Sequence, residues 1–246
     1  DTAGFSSLDE RFLKIKAEEL NKYYPEFLAL LPNCKFSSCT HLHEPDCAVL
    51  KALKEEAGSA IVMDVNTGEI LAMVSAPSYD TNIFTMPGPT KVWRSLIDNE
   101  KRPLQNKALT GTYSPGSIFK LIVALAGLEH KVIHPNKKVF CGGKITIGNH
   151  DFHCWKHWGH GHLNLEEALM HSCDVYFYQL AQELGAEKIT DMARRFGLGS
   201  AVNIGIKGER EGLVPSAEWK KKRFKDDWRT GDTVNLSIGQ GFLTTT

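Results

Sequence analysis

The stretch that decides the fold is residues 113–120, Tyr-Ser-Pro-Gly-Ser-Ile-Phe-Lys, which runs on into an apolar segment ending near Glu129. A Pro-Gly pair gives the chain a sharp turn, and the apolar residues that follow recur at helical spacing. This pattern predicts a helix from Ser117 to about Glu129. Because residues three apart lie on one face of a helix, the side chains of Ser117 and Lys120 are expected to meet at its N-terminus.

A serine at a helix N-terminus beside a lysine is a candidate for covalent chemistry. The oriented backbone N–H groups and the helix dipole favour a developing alkoxide on Ser117. Lys120 is then the candidate general base for that hydroxyl. The ordinary alternative is a serine N-cap with a solvated lysine nearby, since Ser-x-x-Lys arises by chance about once in a chain of this size.

Upstream of this motif, two apolar runs flank a turn. The runs are Ala60–Val65 and Glu69–Val74, and the turn between them, Asn66-Thr-Gly68, contains a glycine. These features predict a β-hairpin whose second strand is ended by Pro77. Residues 80–112 are polar, with scattered Pro and Gly, and are predicted to form loops with short helices.

Downstream, the apolar periodicity predicts a helix over Leu165–Leu184 and another over about Ala186–Phe196. Ser172 and Asp174 lie within the first of these helices, where a buried serine and a buried acid require a reason. The glycine-rich tail that follows contains a basic run at residues 220–223. We interpret that run as a solvated helix face rather than a binding patch.

The six cysteines form two sets of three, each with one well-spaced histidine. The sets are Cys34, Cys39, His41 and Cys47, and Cys141, Cys154, His160 and Cys173. Thiolate and imidazole are the ligands that zinc prefers, so each set predicts a zinc site. Three disulfides are the alternative for an even cysteine count. In the second set, His153, His157 and His162 compete with His160.

The residues around the first set differ from the rest of the chain. They predict a helix near Lys16–Tyr24 and a short one near Ala48–Glu56, with too little apolar surface for a core without a metal staple. Residues 57–59, Ala-Gly-Ser, form the predicted joint. The predicted domains are therefore 1–57, a small zinc-stapled helical module, and 58–246.

Composition excludes several classes of protein. Of 246 residues, 42% are hydrophobic and 24% charged, and 29 basic residues balance 29 acidic ones. This is an ordinary globular composition, sufficient for one large or two modest domains and without the basic excess of a nucleic-acid binder. No apolar run approaches the roughly 18–20 residues of a membrane span, and no signal peptide opens the chain. The abrupt ends suggest a sequence cut on both sides.

Residues 58–246 resemble the class B penicillin-binding proteins, most closely the elongation-specific group called penicillin-binding protein 2. The segments that carry this resemblance are Met63-Asp-Val-Asn-Thr-Gly-Glu-Ile-Leu-Ala72, Ala76-Pro-Ser-Tyr-Asp80, the 113–120 stretch, Trp155-Lys-His-Trp-Gly-His-Gly161, Tyr176-Phe-Tyr-Gln179 and Ile238-Gly-Gln-Gly241. The resemblance implies an α/β fold, namely a transpeptidase domain of the penicillin-binding-protein and β-lactamase type.

The resemblance also implies residue roles. Ser117 would be the acylated nucleophile, with its own N–H as one oxyanion donor, and Lys120 would be its base. Ser172 would relay the proton, and Asp174 stands where many relatives carry Asn. The implied substrate is the D-Ala-D-Ala end of a peptidoglycan stem peptide, which β-lactams mimic. The implied setting is the periplasmic face of the inner membrane, among elongation-complex proteins.

Two further implications concern what differs from the family. Its third motif, Lys-Thr/Ser-Gly, would follow residues 239–241 and does not occur in residues 1–246, where Arg229-Thr-Gly231 is only a decoy. The domain is therefore expected to be incomplete at its C-terminus and impaired in turnover.

Some relatives carry a zinc held by Asp, His and Cys, and Cys141 and Cys154 would here take the aspartate positions. Such a closed, thiolate-rich site would be structural.

Residues 1–56 resemble the C-terminal zinc module of the circularly permuted GTPases that mature the small ribosomal subunit. The resemblance rests on Asp1-Thr-Ala-Gly-Phe-Ser6, Tyr24-Pro-Glu-Phe27, His43-Glu-Pro45 and the C-x4-C-x-H-x5-C spacing. No phosphate-binding loop of the form G-x4-G-K-[ST] occurs in the chain, so GTP hydrolysis is not expected. Zinc binding and weak RNA contact remain. The two resemblances point to different compartments, as in a natural fusion or an artificial sequence.

The sequence leaves two function classes open. One is a serine-type D,D-transpeptidase, and the other is a non-catalytic, zinc-stabilised binding protein in which the serine motif is a relic. Covalent labelling by a fluorescent penicillin separates them.

Overall fold

The computed structural model describes residues 57–85 and 90–246. The first cysteine set and the two helices predicted before residue 57 lie outside these residues, so they stay predictions. The described chain divides after Gly111 into two compact units, with residues 112–246 forming the second. This division falls inside the predicted 58–246 domain.

The first unit is built on the predicted hairpin, which the structure confirms. Strand β1, Gly58–Met63, pairs antiparallel with β2, Ile70–Ala76, and Gly58 lies opposite Ala76. The Asp64 carboxylate closes the turn by accepting hydrogen bonds from the backbone N–H groups of Asn66 and Thr67, at 2.7 and 3.1 Å. Strand β2 ends just before Pro77, as expected.

Short helices follow in the first unit, as predicted for residues 80–112. They are a 3₁₀ turn, Thr81–Phe84, then helix α1, Thr90–Ile97, and the single-turn helix α2, Lys107–Thr110. Helix α2 packs against both strands of the hairpin. The Ser75 hydroxyl joins them, because it donates to the carbonyl of Gln105 and accepts from the N–H of Lys107.

The second unit is mainly helical. Its helices are a 3₁₀ turn, Gly116–Phe119, that runs into α3, Lys120–Glu129; then α4, Leu165–Met170; α5, Asp174–Leu184; α6, Ala186–Arg195; α7, Ala217–Phe224; and α8, Thr230–Ser237. Helix α5 packs against α3 and α8, and α3 packs against α6. Val123, Phe177 and Ile189 are fully buried at these contacts and form the centre of the core.

Two short antiparallel ribbons complete the second unit. Strand β3, Val139–Cys141, pairs with β6, Gly161–Leu163, and β4, Lys144–Ile147, pairs with β5, His150–His153. Within the described ranges, each of the three sheets has two strands. The ribbons matter for the site because β3 ends, and β6 begins, beside the second cysteine set.

The prediction of one helix over Leu165–Leu184 is wrong at its middle. Helix α4 ends at Met170, and α5 begins only at Asp174. Between them Ser172 takes a left-handed backbone conformation with φ +49°, which no α-helix accommodates. The apolar periodicity continues across this break because Cys173 and Val175 are still buried, so the pattern alone does not reveal it.

The basic run at residues 220–223 is only partly the solvated face that was predicted. Lys220 is buried, and its ammonium pairs with Asp232 at 2.7 Å and with Asp226 at 3.1 Å. Lys221 is exposed and pairs with Asp227.

Across the described ranges, no helix has the length and apolar character required to span a bilayer.

Candidate active site

The nucleophile motif forms a 3₁₀ turn rather than the first turn of an α-helix. With i→i+3 geometry the side chains of Ser117 and Lys120 eclipse, and their Oγ and Nζ atoms lie 3.2 Å apart. The turn is anchored by the Gly116 N–H, which donates to the carbonyl of Gly239 at 3.0 Å. Gly239 has φ +69°, and a Cβ there would lie 2.2 Å from the Gly116 carbonyl oxygen, so this approach requires glycine.

Lys120 is a cation almost without access to water, since its side chain is 1% exposed. Its ammonium donates to Asp174 Oδ1 at 2.6 Å, to the Ser172 carbonyl at 2.9 Å and to Ser172 Oγ at 3.0 Å. A buried ammonium is tolerated only when it is paired and hydrogen-bonded, and these contacts meet that requirement. The lysine is thereby fixed facing the hydroxyl of Ser117.

Ser172 contributes two groups to the site. Its left-handed backbone turns both its carbonyl and its side chain toward Lys120. Its Oγ also donates to Ser117 Oγ at 2.9 Å. The two hydroxyls and the ammonium therefore lie within hydrogen-bonding distance of one another, which is the arrangement needed to move a proton to or from the nucleophile.

Asp174, the first residue of α5, holds the other side of this network. While Oδ1 pairs with Lys120, Oδ2 accepts the backbone N–H of Trp155 at 3.1 Å. The indole Nε1–H of Trp155 donates to the carbonyl of His171, also at 3.1 Å. Sequence reasoning missed Trp155, because its partners lie 16 and 19 residues further along the chain and no local pattern pairs a tryptophan with them.

The structure therefore brings the four predicted site residues together within the second unit. A serine hydroxyl, a buried lysine and a second hydroxyl in mutual contact form a set suited to acyl transfer through a serine ester. The decoy Arg229-Thr-Gly231 is elsewhere, with Arg229 as the N-cap of helix α8 rather than a strand residue.

The second cysteine set also converges. Its four candidate ligand atoms all lie within 4.8 Å of one another, and they come from the end of β3, the two ends of the β5–β6 loop and the N-cap of α5: Cys141, Cys154, His160 and Cys173. The three thiols are free and buried. Among the described histidines, His160 is the one in this cluster.

The cluster has dimensions that fit a tetrahedral metal ion. His160 Nδ1 lies 3.6 Å from the sulfurs of both Cys141 and Cys154. Metal–sulfur and metal–nitrogen bonds of about 2.3 and 2.0–2.1 Å give a tetrahedral S–N edge of about 3.6 Å. Without a cation, burial raises the pKa of the Cys173 thiol and lowers that of the His160 imidazole, so both remain neutral.

Comparison with known proteins gives consistent matches over the same part of the chain. The family model described as penicillin binding protein transpeptidase domain matches residues 58–246. The peptidoglycan D,D-transpeptidase MrdA of Acinetobacter baumannii is 39% identical over 191 residues, which are 77% of this chain and 28% of that protein. The chain thus spans less than a third of the length of this curated relative.

Solved structures resemble the chain in fold as well. The complex of Pseudomonas aeruginosa PBP2 with WCK 5153 is 40% identical with a TM-score of 0.74, over 80% of this chain and 43% of that one. The complex between PBP2 and MreC from Helicobacter pylori is 37% identical with a TM-score of 0.76, over 80% of this chain and 37% of that one. No comparison supports the resemblance of residues 1–56 to a ribosome-maturation GTPase.

Proposed function

The chain belongs to the penicillin-binding protein transpeptidase family, and on that premise we propose that it performs the acyl-serine chemistry of a peptidoglycan D,D-transpeptidase. The observation that carries the proposal is the buried Lys120 ammonium in contact with both serine hydroxyls and the Asp174 carboxylate. The other buried lysine described in the second unit, Lys220, has only carboxylates and a carbonyl as its polar partners, whereas Lys120 is also held against an exposed serine.

The proposed substrate is a stem peptide ending in D-Ala-D-Ala. Lys120 Nζ first gives a proton to the Asp174 carboxylate, its nearest acceptor at 2.6 Å. Ser117 Oγ then attacks the carbonyl carbon of the penultimate D-alanine while its proton passes to the neutral amine of Lys120. Collapse of the tetrahedral intermediate breaks the peptide bond, and the leaving D-alanine amine takes a proton relayed by Ser172. The amine of a second stem peptide then attacks the ester and returns the proton to Ser117. A β-lactam follows the first half of this sequence by opening its ring.

A fluorescent penicillin tests this proposal directly. We expect a covalent, denaturant-resistant adduct on the 246-residue chain, absent from Ser117→Ala and retained by Ser114→Ala, a matched control on the neighbouring exposed serine. Lys120→Ala should slow acylation about 10²–10⁴-fold, the usual contribution of a positioned base. An adduct that persists on Ser117→Ala would show that the assignment is wrong.

We further propose that zinc occupies the second cysteine cluster. Support comes from the donor set and from the match between its S–N distances and a tetrahedral site. With three thiolates and one imidazole no position is left for a reacting water, so the ion would act structurally. It would bind β3, the β5–β6 loop and the start of α5 to one another.

The remaining parts of the proposal concern the wider protein. We propose action at the periplasmic face of the inner membrane with elongation-complex proteins as partners, supported by the named relatives and by the Helicobacter pylori complex with MreC. A second zinc, on Cys34, Cys39, His41 and Cys47, rests on sequence spacing alone. Weak RNA contact through residues 1–57 rests on the sequence of that stretch alone, and a filter-binding assay with ribosomal RNA tests it.

A further inference from the structure

Trp155 makes two hydrogen bonds that the proposed chemistry does not by itself explain. Its backbone N–H donates to Asp174 Oδ2 and its indole N–H donates to the His171 carbonyl, both at 3.1 Å. Trp155 is 61% exposed, and its ring contacts the edge of the His160 ring, with 5.3 Å between centroids, so packing in the core does not account for its position. The two bonds hold both ends of the segment 171–174, which contains three oxygens that accept from Lys120, two on Ser172 and one on Asp174.

The segment contains a residue with a left-handed backbone conformation, Ser172. Ser172 has φ +49°, and a left-handed conformation costs a residue with a side chain roughly 1–2 kcal/mol. Relaxation to negative φ would turn the Ser172 carbonyl and hydroxyl away from Lys120 Nζ, which now lies 2.9 and 3.0 Å from them. The N–H groups of Ser172 and Cys173 close this turn by donating to the carbonyls of Leu169 and Ala168, at 3.1 and 2.9 Å. Trp155 adds the two hydrogen bonds that link His171 to Asp174 across it.

The loop that carries Trp155 is itself fixed at both ends. The Cys154 N–H donates to the Gly143 carbonyl at 2.8 Å, and the His160 N–H donates to the Cys141 carbonyl at 3.1 Å. Near its end, Gly159 lies so close to β3 that a Cβ would be 2.2 Å from the Cys141 carbonyl oxygen. The two donors of Trp155 are therefore presented from a preorganised position.

We propose that Trp155 is a positioning residue for acyl transfer. It holds the 171–174 segment in the strained conformation that directs Ser172 and Asp174 at Lys120. This inference rests on the proposed acyl-serine function and adds a residue that acts through others rather than on substrate. It predicts that loss of the indole donor affects the chemical step more than the initial binding of the acyl donor.

The test compares Trp155→Phe with Trp158→Phe, which removes a neighbouring indole that is 82% exposed. Stopped-flow acylation by a chromogenic cephalosporin separates the pre-acylation dissociation constant from the acylation rate constant. We expect Trp155→Phe to lower the acylation rate constant about five- to tenfold, which corresponds to the net free energy of one hydrogen bond. The dissociation constant should change less than twofold. Trp158→Phe should match the wild type. An unchanged rate constant, or a change in binding alone, overturns the proposal.

A second measurement is independent of activity. In protein labelled with ¹⁵N-tryptophan, the Trp155 indole N–H should exchange with solvent at least about tenfold more slowly than that of Trp158, despite its exposed ring. Equal exchange overturns the inference. If the wild-type chain is not acylated, the proposed acyl-serine function is contradicted. The exchange rates would still show whether the Trp155 indole is held by its hydrogen bond to His171.

An isosteric replacement distinguishes loss of the indole hydrogen bond from misfolding of the Phe variant. Benzothienylalanine at position 155 keeps the ring size and replaces the N–H with sulfur. It should reproduce the loss of rate with a wild-type melting temperature and metal content. A wild-type rate in this variant overturns the inference.

Discussion

Lys120 shows how one buried charge organises a site. Its ammonium is almost fully removed from water. The cost of that desolvation is offset by hydrogen bonds to three oxygens of the 172–174 segment and to the hydroxyl of Ser117. Removing one partner of a buried pair usually costs more than the pair contributes, because the remaining charge stays desolvated. The stability of the second unit and the geometry of the nucleophile therefore depend on the same contacts.

We predict a graded response at Asp174. The Asn variant keeps one oxygen for Lys120 but replaces the other with an amide that cannot accept the Trp155 N–H, so unfolding should become easier by about 1–2 kcal/mol. Both variants remove the carboxylate charge, but the Ala variant also removes the oxygen that accepts from Lys120, so it should cost about 3 kcal/mol or more. Urea unfolding measures both. Asp227→Ala, which breaks the exposed pair with Lys221, should leave the midpoint unchanged, and equal midpoints for all three variants would refute the prediction.

A second residue-scale prediction concerns the glycine that supports the nucleophile turn. Gly239→Ala must adopt φ +69° and also place a methyl group 2.2 Å from the Gly116 carbonyl oxygen. Gly148→Ala has a similar φ of +61° with nothing within 4 Å, so it carries the backbone cost of about 1–2 kcal/mol alone. The Gly239 variant should be the less stable in urea and should also acylate more slowly. Equal effects would mean that the close approach is not required.

At the scale of elements, sequence patterns predicted the features that are formed by residues close together in the chain. The hairpin followed from two apolar runs around a glycine turn, and the contact of Ser117 with Lys120 followed from a spacing of three. The break at Ser172 was not predictable from periodicity, because the buried residues Cys173 and Val175 continue the apolar pattern beyond it while the φ angle of Ser172 becomes positive. The convergence of Cys141 with Cys173 depends on contacts between distant segments, and the spacing of cysteines and histidine predicted it. The role of Trp155 also depends on such contacts, and neither spacing nor family resemblance assigned it one.

The four residues of the second cysteine cluster come from three separate parts of the second unit, so removal of a metal from this cluster would be informative. We predict two zinc ions per purified chain by elemental analysis, falling by one in Cys141→Ser and by one in Cys47→Ser. A ligand present at 1,000 times its dissociation constant adds about 4 kcal/mol to the folded state, so a chelator should lower the melting temperature of the second unit markedly. A metal content near zero, with three disulfides by mass spectrometry, would contradict the prediction.

At the scale of the molecule, the second unit presents an apolar helix face to solvent. Ile118, Leu121 and Leu125 recur on one side of the 3₁₀ turn and α3, and are 73%, 57% and 43% exposed. The hairpin of the first unit likewise exposes Met63 and Val74. Scattered exposed apolar residues are normal in soluble proteins, but residues aligned along one face form a patch that water does not favour.

We therefore predict that the 246-residue chain binds a hydrophobic dye and associates as its concentration rises. Replacing both Leu121 and Leu125 with Gln should reduce dye fluorescence and shift the chain toward monomer in light scattering, with the free energy of unfolding changed by less than about 0.5 kcal/mol. The matched control replaces Val202 and Ile206, which are exposed in a loop, and should behave as wild type. A monomeric chain that gives no dye fluorescence would contradict the prediction. The same effect from the control pair would show that the aligned face on α3 does not drive association.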